Sequence, residues 1–171
     1  MNKFNRDIKS EPNYLKNNKK ELVCKYIESN NFDYSYGKNA AKLRKDLNKL
    51  TDNHCAYCDG ILLPFATPQI DHFKPKIKYK LLAYSWINLF PVCVSCNNKK
   101  AKTIFKIRPH ATNYFWKNYF WYENTTGIIC AKTKDAQFII DTLKLNSFDK
   151  IEYRLEIKNI NFQPYRYTLK T

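Results

Sequence analysis

Hydrophobic residues in the first third of the chain recur near the spacing of an α-helix. Lysine and asparagine fill the other positions, and two stripes result: Tyr14, Leu15, Leu22, Val23, Tyr26 and Ile27, then Ala40, Leu43, Leu47 and Leu50. A helix with one face on a core has this pattern. The segment NNFDYSYG between the stripes carries Gly37, which favours a turn. Residues 13–50 are therefore predicted to form two helices joined by a loop.

The pattern changes after residue 53. β-Branched and aromatic residues interrupted by Pro64 and Pro68 follow the segment CAYC, which indicates short strands with turns between them. Residues 69–73 are predicted to form a strand that ends at His72, and WINLFPV a second strand. CVSCNNKKAKTIF is predicted to enter a helix. Residues 54–105 thus predict the order strand, loop, strand, helix.

The last third returns to helix after a short hairpin. The hairpin is predicted around YFWYENTTGIIC, and two apolar stripes follow within residues 134–158: Ala136, Ile139, Ile140 and Leu143, then Ile151, Leu155 and Ile157. The whole pattern predicts an α+β fold. A chain of 171 residues is the size of one domain, so we expect a single domain over 1–171, with a helical part at 13–50, a central part at 54–105 and a C-terminal helical extension at 106–171.

Composition points to a cytoplasmic protein with an anionic partner. The sequence has neither the apolar run of a signal peptide nor one long enough for a membrane span, so we expect no membrane association. Thirty basic and 15 acidic residues give a net charge of +15, which would attract nucleic acid, and DNA is the expected partner. A merely solvated, lysine-rich surface remains the alternative.

Four of the six cysteines form two CxxC pairs, Cys55 with Cys58 and Cys93 with Cys96. In a reducing compartment such pairs indicate a metal site rather than disulfides. Four thiolates suit a structural zinc ion, because they fill a tetrahedral coordination sphere and leave no position for a substrate. Buried free thiols are the alternative. Chemistry is then expected inside the loop between the pairs.

That loop holds Asp71, His72 and Asn88, and Asn97 follows the last cysteine. A phosphodiester hydrolase needs a base near neutral pKa and a metal ion that neutralises phosphate charge. His72 could be the base, and oxygens of Asp71 and Asn97 could bind the ion. Neighbouring strand residues point to opposite faces, so Asp71 and His72 can share a site only if the backbone twists or His72 ends the strand.

The segments CAYC, QIDHFKPK, WINLFPVC and CVSCNNKK together resemble the HNH endonucleases of the ββα-metal fold. The resemblance implies a small ββα-metal core stapled by the four-cysteine zinc site. It also implies that His72 is the general base, that Asp71 and Asn97 bind the catalytic ion, and that Asn88 holds the loop that orients His72. Asn97 stands where the motif's third letter is often His, and it favours Mg²⁺ or Mn²⁺ over a second zinc. Two alternatives stay open: Asn97 as a helix cap and Asp71 in a surface salt bridge with lysines.

A closer resemblance is to the HNH subunit of Septu-type and retron-linked anti-phage systems. It is carried by DHFKPK, LLAYSWINLFPVCVSCNNKK, IIDTLKLN with Arg154 beyond it, and the opening IKSEPNYL. It implies an ABC-type ATPase partner and a nuclease held inactive until infection.

Lysines flank the predicted site on both sides. Lys74, Lys76, Lys78 and Lys80 alternate, which predicts an extended segment with all four on one side, either facing phosphates or solvated. Lys99, Lys100 and Lys102 are predicted to start a helix and to offer a phosphate contact. We therefore expect Lys74, Lys76, Lys99 and Lys100 to bind nucleic acid.

The sequence as a whole predicts a metal-dependent DNA endonuclease of a defence system. An RNase acting on tRNA through the same site is one alternative, because phosphate contacts carry no sugar specificity. A non-catalytic zinc module that binds nucleic acid is the other.

Overall fold

The computed structural model describes Phe4 and residues 8–62 and 68–159. Within these residues the protein has five α-helices and two separate two-stranded antiparallel sheets, so the predicted α+β class is confirmed. The predicted turn at Pro64 and residues 160–171 of the predicted C-terminal extension lie outside them. No helix in the described part is long and apolar enough to cross a membrane.

The N-terminal helices are α1 (Asn13–Ser29) and α2 (Ala40–Leu50), as predicted. α1 ends at Asn30, which adopts a left-handed conformation with φ 54°. The apolar stripes are mostly buried, although Ile27 is 44% exposed. In the connecting loop, Gly37 also has positive φ, a conformation that glycine adopts without strain.

The centre of the chain forms a ββα unit. β1 (Gln69–His72) pairs antiparallel with β2 (Leu89–Val92), and α3 (Val94–Lys100) follows directly. β1 ends at His72, as predicted. α3 packs against β1, so the face of the hairpin that carries Asp71 lies toward α3.

The segment between β1 and β2 is not extended, so the prediction of four lysines on one side of an extended segment is wrong. The backbone N–H groups of Lys78 and Tyr79 both donate to the carbonyl of Pro75, which closes a turn. Short 3₁₀ helices follow at Lys80–Leu82 and Trp86–Asn88. Proline fixes its own φ and favours such a turn, and this local preference overrides the alternating pattern.

The C-terminal part contains the predicted hairpin, β3 (Phe120–Glu123) with β4 (Ile128–Ala131), followed by α4 (Lys134–Leu143) and α5 (Phe148–Asn159). The Thr133 hydroxyl caps α4 by accepting from the backbone N–H of Ala136 at 3.1 Å. Every residue of the predicted α4 stripe is buried. α4 packs on both α3 and β4, which joins this part to the centre.

The β1–β2 hairpin separates two hydrophobic clusters. The cysteine-side cluster joins the central unit to the C-terminal part and includes Tyr57, Phe73, Phe90, Val92, Phe105 and Ile139. The helix-side cluster joins the hairpin to α1 and α2 and includes Leu22, Phe32, Leu43, Tyr84 and Leu89. Because side chains alternate along a strand, the hairpin contributes to both clusters, and all four residues of β2 are buried.

Candidate active site and metal centre

The four cysteines of the two CxxC pairs lie together. Their sulfur atoms are all within 4.8 Å of one another, and the Sγ atoms of Cys58 and Cys93 are 3.8 Å apart. Cys55 and Cys96 are fully buried, and the other two are half-buried. The cluster can therefore hold a metal ion such as zinc.

Backbone geometry presents the sulfurs toward one point. Two backbone hydrogen bonds of Cys55 close a tight turn. Its N–H donates to the Gly60 carbonyl, and its carbonyl accepts from the N–H of Asp59, which has a positive φ of 66°. In the second pair, Cys93 caps α3 and its sulfur accepts from the Cys96 N–H at 3.4 Å. The Cys93 N–H in turn donates to the Cys55 sulfur, also at 3.4 Å. The two pairs thus contact each other directly.

The chemistry of the donor set fits a soft divalent cation. Burial raises the pKa of the Cys55 thiol well above its ordinary value, because the charged form is poorly solvated there. A cation bound among the sulfurs reverses this effect and stabilises the thiolates. Such an ion would tie the turn at residues 55–60 to the end of β2 and the start of α3.

The carboxylate of Asp71 is buried and has two partners. Tyr57 donates its hydroxyl to Asp71 Oδ2 at 2.6 Å, and the Lys100 ammonium lies 3.0 Å from Oδ2 and 3.3 Å from Oδ1. Lys100 also donates to the His72 carbonyl at 2.9 Å. These three acceptor atoms match the three N–H donors of the ammonium group. Burial raises the pKa of Tyr57 well above its ordinary value, so the hydroxyl stays protonated and can donate.

The His72 ring is held on the other side of the strand. Its Nε2 atom lies 2.8 Å from the Ala83 carbonyl, and Phe32 contacts the ring edge to face with centroids 5.2 Å apart. A carbonyl only accepts, so Nε2 carries the proton and Nδ1 is the acceptor nitrogen. Burial, reinforced by the positive charge of Lys76, lowers the pKa of His72 to about 3, against the opposing effect of the Ala83 bond. The ring is therefore neutral at physiological pH.

Asp71 and His72 are adjacent in sequence but face different clusters. In the β1–β2 ladder Asp71 is opposite Phe90, which belongs to the cysteine-side cluster, and His72 is opposite Leu89, which belongs to the helix-side cluster. His72 ends the strand, yet its ring does not turn to the Asp71 side. Lys100 links the two residues directly, because it contacts the carboxylate of Asp71 and the carbonyl of His72.

Asn88 ties together the segment that joins the two strands. Its Oδ1 accepts from the Lys74 N–H at 2.7 Å, and its Nδ2 donates to the carbonyls of Lys74 and Leu82 at 3.0 and 3.1 Å. The Asn88 carbonyl also accepts from Phe73. One buried side chain thus fixes both ends of the segment that begins after His72.

Asn97 lies inside α3 rather than at its start. Cys93 is the capping residue, so the capping alternative for Asn97 does not apply. Its Nδ2 donates to Gln69 Oε1 at 2.6 Å. Gln69 and Asp71 are on one face of β1, and the structure therefore brings Asn97 to the β1–α3 interface that also holds the Asp71 carboxylate.

The lysines expected on a nucleic-acid surface lie in three different settings. Lys99 and Lys100 end α3, so the prediction that they start a helix is wrong, because the helix begins directly after Cys93. Lys100 is also completely buried, which removes it from the surface. Lys99 is half-buried and lines a hollow with Gln137 and Asp141. Lys74 and Lys76 lie in the turn segment, where their ammonium groups sit over aromatic rings.

Sequence reasoning missed Tyr57 as a partner of Asp71, and it placed Lys100 on a nucleic-acid surface instead of beside Asp71. Tyr57 is the residue before the second cysteine of CAYC, and its ring size and hydroxyl gave no specific signal. Lys100 did carry one: it follows Cys96 by four residues and Asn97 by three, which puts it on the inward face of a helix that starts at the cysteine pair.

These features define the class of the protein. It is an α+β protein with a ββα unit and a four-cysteine cluster compatible with zinc. No protein-family model matches the chain. The chain is similar to the Septu protein PtuB of Bacillus mycoides (strain KBAB4), with 32% identity over 74 residues, an alignment that covers 36% of this chain and 25% of PtuB. The chain thus matches about a quarter of the length of that relative, which supports a distant relationship to it.

Loss of one cluster sulfur should release the metal. We expect Cys55→Ser to abolish stoichiometric zinc, measured by elemental analysis of the purified protein, and to lower the midpoint of thermal unfolding strongly. Cys24→Ser is the matched control, because Cys24 is an exposed thiol outside the cluster. Equal zinc content in Cys55→Ser and Cys24→Ser would contradict the assignment.

The Lys100–Asp71 pair should be strongly coupled. Lys100→Met and Asp71→Asn should each lower the free energy of unfolding by about 3–5 kcal/mol, because each leaves a buried polar partner unmatched. The double variant should lose much less than the sum of the two. Urea unfolding with zinc present measures this, and Lys102→Met on the exposed segment after α3 is the control. Additive losses would show that the two groups do not interact.

The neutral state of His72 should make stability fall in acid. The folded pKa of about 3 lies below the ordinary value of 6.5, so the unfolded chain binds the extra proton between those values. Below pH ~6.5, the free energy of unfolding of the wild type should therefore fall by about 1.4 kcal/mol per pH unit more than that of His72→Gln. The glutamine amide of this variant can still donate to the Ala83 carbonyl. Urea unfolding of both proteins between neutral pH and pH ~5.5 measures the difference. Parallel pH profiles would contradict the buried neutral ring.

Proposed function

We propose that this chain is a metal-dependent HNH-type endonuclease that hydrolyses DNA phosphodiester bonds in an anti-phage defence system. The observation that carries the proposal is the neutral His72 ring at the end of β1, inside a ββα unit next to a four-cysteine cluster. The HNH-like order of residues and the similarity to PtuB support the same reading.

His72 is the general base in this proposal. The Ala83 carbonyl holds the Nε2 proton, so Nδ1 can accept a proton from an attacking water. A ring with a pKa of about 3 is a weak base, but a phosphate anion beside it favours the protonated form and raises that pKa. Asn88 positions the ring indirectly, by fixing the segment that carries Ala83.

Asp71 and Asn97 supply the oxygen ligands of a catalytic Mg²⁺ or Mn²⁺ ion. Both side chains lie at the β1–α3 interface, and hard divalent ions prefer such oxygens. The ion, when bound, neutralises charge on the phosphate. Lys100 already contributes a positive charge to Asp71, so an ion there must share the carboxylate with it. A zinc ion held by the four cysteines would be structural in this proposal and would tie the end of β2 to the start of α3.

The same geometry gives weight to a second candidate, a zinc module that binds nucleic acid without cutting it. Asp71 is engaged by Lys100 and Tyr57, and its carboxylate and the His72 ring face opposite clusters. A protein of this kind would keep the fold and its basic surface but have no ion-dependent activity.

An ABC-type ATPase is the proposed partner, and it would keep the nuclease inactive before infection. This is what the resemblance to Septu-type and retron-linked HNH subunits implies, and the similarity to PtuB supports a relationship to Septu proteins. Copurification of the chain with an ABC-type ATPase encoded beside it, at a fixed stoichiometry, would support the partnership.

The nuclease proposal is tested on purified protein with supercoiled plasmid, circular single-stranded DNA and tRNA. Cleavage should require added Mg²⁺ or Mn²⁺, and His72→Ala should lower the rate by about 10²–10⁴-fold, the usual contribution of a general base. Zinc content and the circular dichroism spectrum should stay unchanged. His54→Ala is the control, since His54 lies outside the site and contacts the Asp52 carbonyl.

Three results would redirect the proposal. Equal cleavage by His72→Ala and wild type would exclude His72 as the base. Cleavage of tRNA alone would favour the RNase alternative. Binding of DNA with no cleavage in either ion would favour the non-catalytic module.

A further inference from the structure

Two loops beside His72 combine lysine side chains with aromatic rings. Tyr34 lies on the loop between α1 and α2, and its side chain is 70% exposed. Lys76, on the turn segment after β1, places its ammonium 5.0 Å from the centre of the Tyr34 ring and 4.9 Å from that of Phe32. Lys74 and Lys78 lie over the ring of Tyr79 in the same segment, at 5.3 and 5.8 Å. We call Tyr34, Lys74, Lys76, Lys78 and Tyr79 the basic aromatic surface.

The loop that carries Tyr34 is held firmly. Tyr84 stacks on Phe32 with ring centroids 4.7 Å apart, and its hydroxyl accepts from the Asp33 N–H at 2.8 Å. The Asp33 carboxylate accepts from the backbone N–H groups of Ser35 and Gly37. A side-chain hydrogen bond with Ser35, together with these two backbone bonds, lowers the pKa of Asp33. The backbone bonds also fix the turn. The exposed tyrosine thus projects from a backbone that is already ordered, which lowers the entropic cost of binding.

Tyr34 lies one aromatic ring away from the candidate catalytic base. Phe32 is buried between them, with its centroid 5.2 Å from that of His72 and 4.9 Å from that of Tyr34. A nucleotide whose base lay on Tyr34 would therefore be close to the phosphate that His72 would serve. The lysines of the turn segment lie on the same side and can contact neighbouring phosphates.

We propose that Tyr34 stacks on an unpaired base of the substrate while the lysines of the basic aromatic surface hold the flanking phosphates, so that the protein prefers single-stranded to duplex DNA. This deepens the proposed function and rests on it for the nearby cleavage. Lysine alone does not distinguish the two forms, because both carry phosphates. An exposed tyrosine ring does, because bases of a duplex are already stacked on both faces, whereas an unpaired base can leave its neighbours and stack on protein.

Binding is the primary measurement and is made without added Mg²⁺ or Mn²⁺. Fluorescence anisotropy compares a short labelled oligonucleotide with its duplex, using wild type, Tyr34→Ala and Tyr34→Phe. Wild type should bind the single strand more tightly, and Tyr34→Ala should weaken that binding by about 5- to 150-fold, the usual effect of one lost stacking contact. Tyr34→Phe should retain most of the affinity, because it keeps the ring.

Two controls separate stacking from charge and from general stickiness. Trp121→Ala removes an aromatic side chain that is 46% exposed on β3, in the other sheet, and should leave binding unchanged. Lys76→Met should weaken binding of single strand and duplex alike and reduce the salt dependence of both.

The inference is overturned if wild type binds duplex as tightly as single strand, if it binds neither, or if Tyr34→Ala binds the single strand as well as wild type. The experiments distinguish failure of this inference from failure of the endonuclease proposal. Stacking as described, with no cleavage of any substrate, would support the surface and contradict the endonuclease. Cleavage that depends on His72 but not on Tyr34 would support the endonuclease and contradict the stacking surface.

Discussion

Neighbouring residues of a β-strand point to opposite faces, and in β1 this alternation sends two adjacent side chains of the site into different surroundings. The Asp71 carboxylate joins the cysteine-side cluster, and the His72 ring joins the helix-side cluster. The hairpin can do this because both of its faces are covered, one by α3 and the C-terminal part and the other by α1 and α2. The N-terminal helices therefore do more than protect a core: Phe32, in the loop between them, forms part of the wall around His72.

The buried Lys100 follows from the same arrangement. A carboxylate on the inner face of a strand must be neutralised or strongly hydrogen-bonded, since an isolated buried charge is very costly. Lys100 and Tyr57 both meet this need, and each lies next to or near a cysteine of the cluster. Metal binding by the cysteines would thus help to position both partners of Asp71. The four-cysteine cluster and the candidate active site are therefore mechanically linked, although about one helical turn separates Cys96 from Lys100.

Most of the fold could be predicted from the sequence because its elements are short and amphipathic, and their boundaries carry local signals. The helices of the first third, the C-terminal hairpin and the end of β1 at His72 agree with the prediction. The failures have physical causes. The alternating lysines after β1 suggested an extended segment, but Pro75 forms a turn there, and no lysine alternation can outweigh that restriction. α3 begins at the second cysteine pair, so Lys99 and Lys100 lie at the end of the helix instead of at its start.

The clustering of the cysteines could be predicted from the sequence, but the directions of the Asp71 and His72 side chains could not. The spacing of the cysteines is a local signal, and the structure gathers all four sulfurs as that spacing requires. The direction of a side chain within a strand, in contrast, depends on register, and the register of β1 is set by its pairing with β2, which lies beyond a segment of irregular structure. A net charge of +15 likewise does not say where a polyanion would bind. The structure limits the lysines that are available to a polyanion. Lys100 is buried and pairs with Asp71, whereas other lysines lie over aromatic rings near His72, at the surface. In the proposed interface, the aromatic residues would determine which part of a diffuse positive charge forms a defined binding surface.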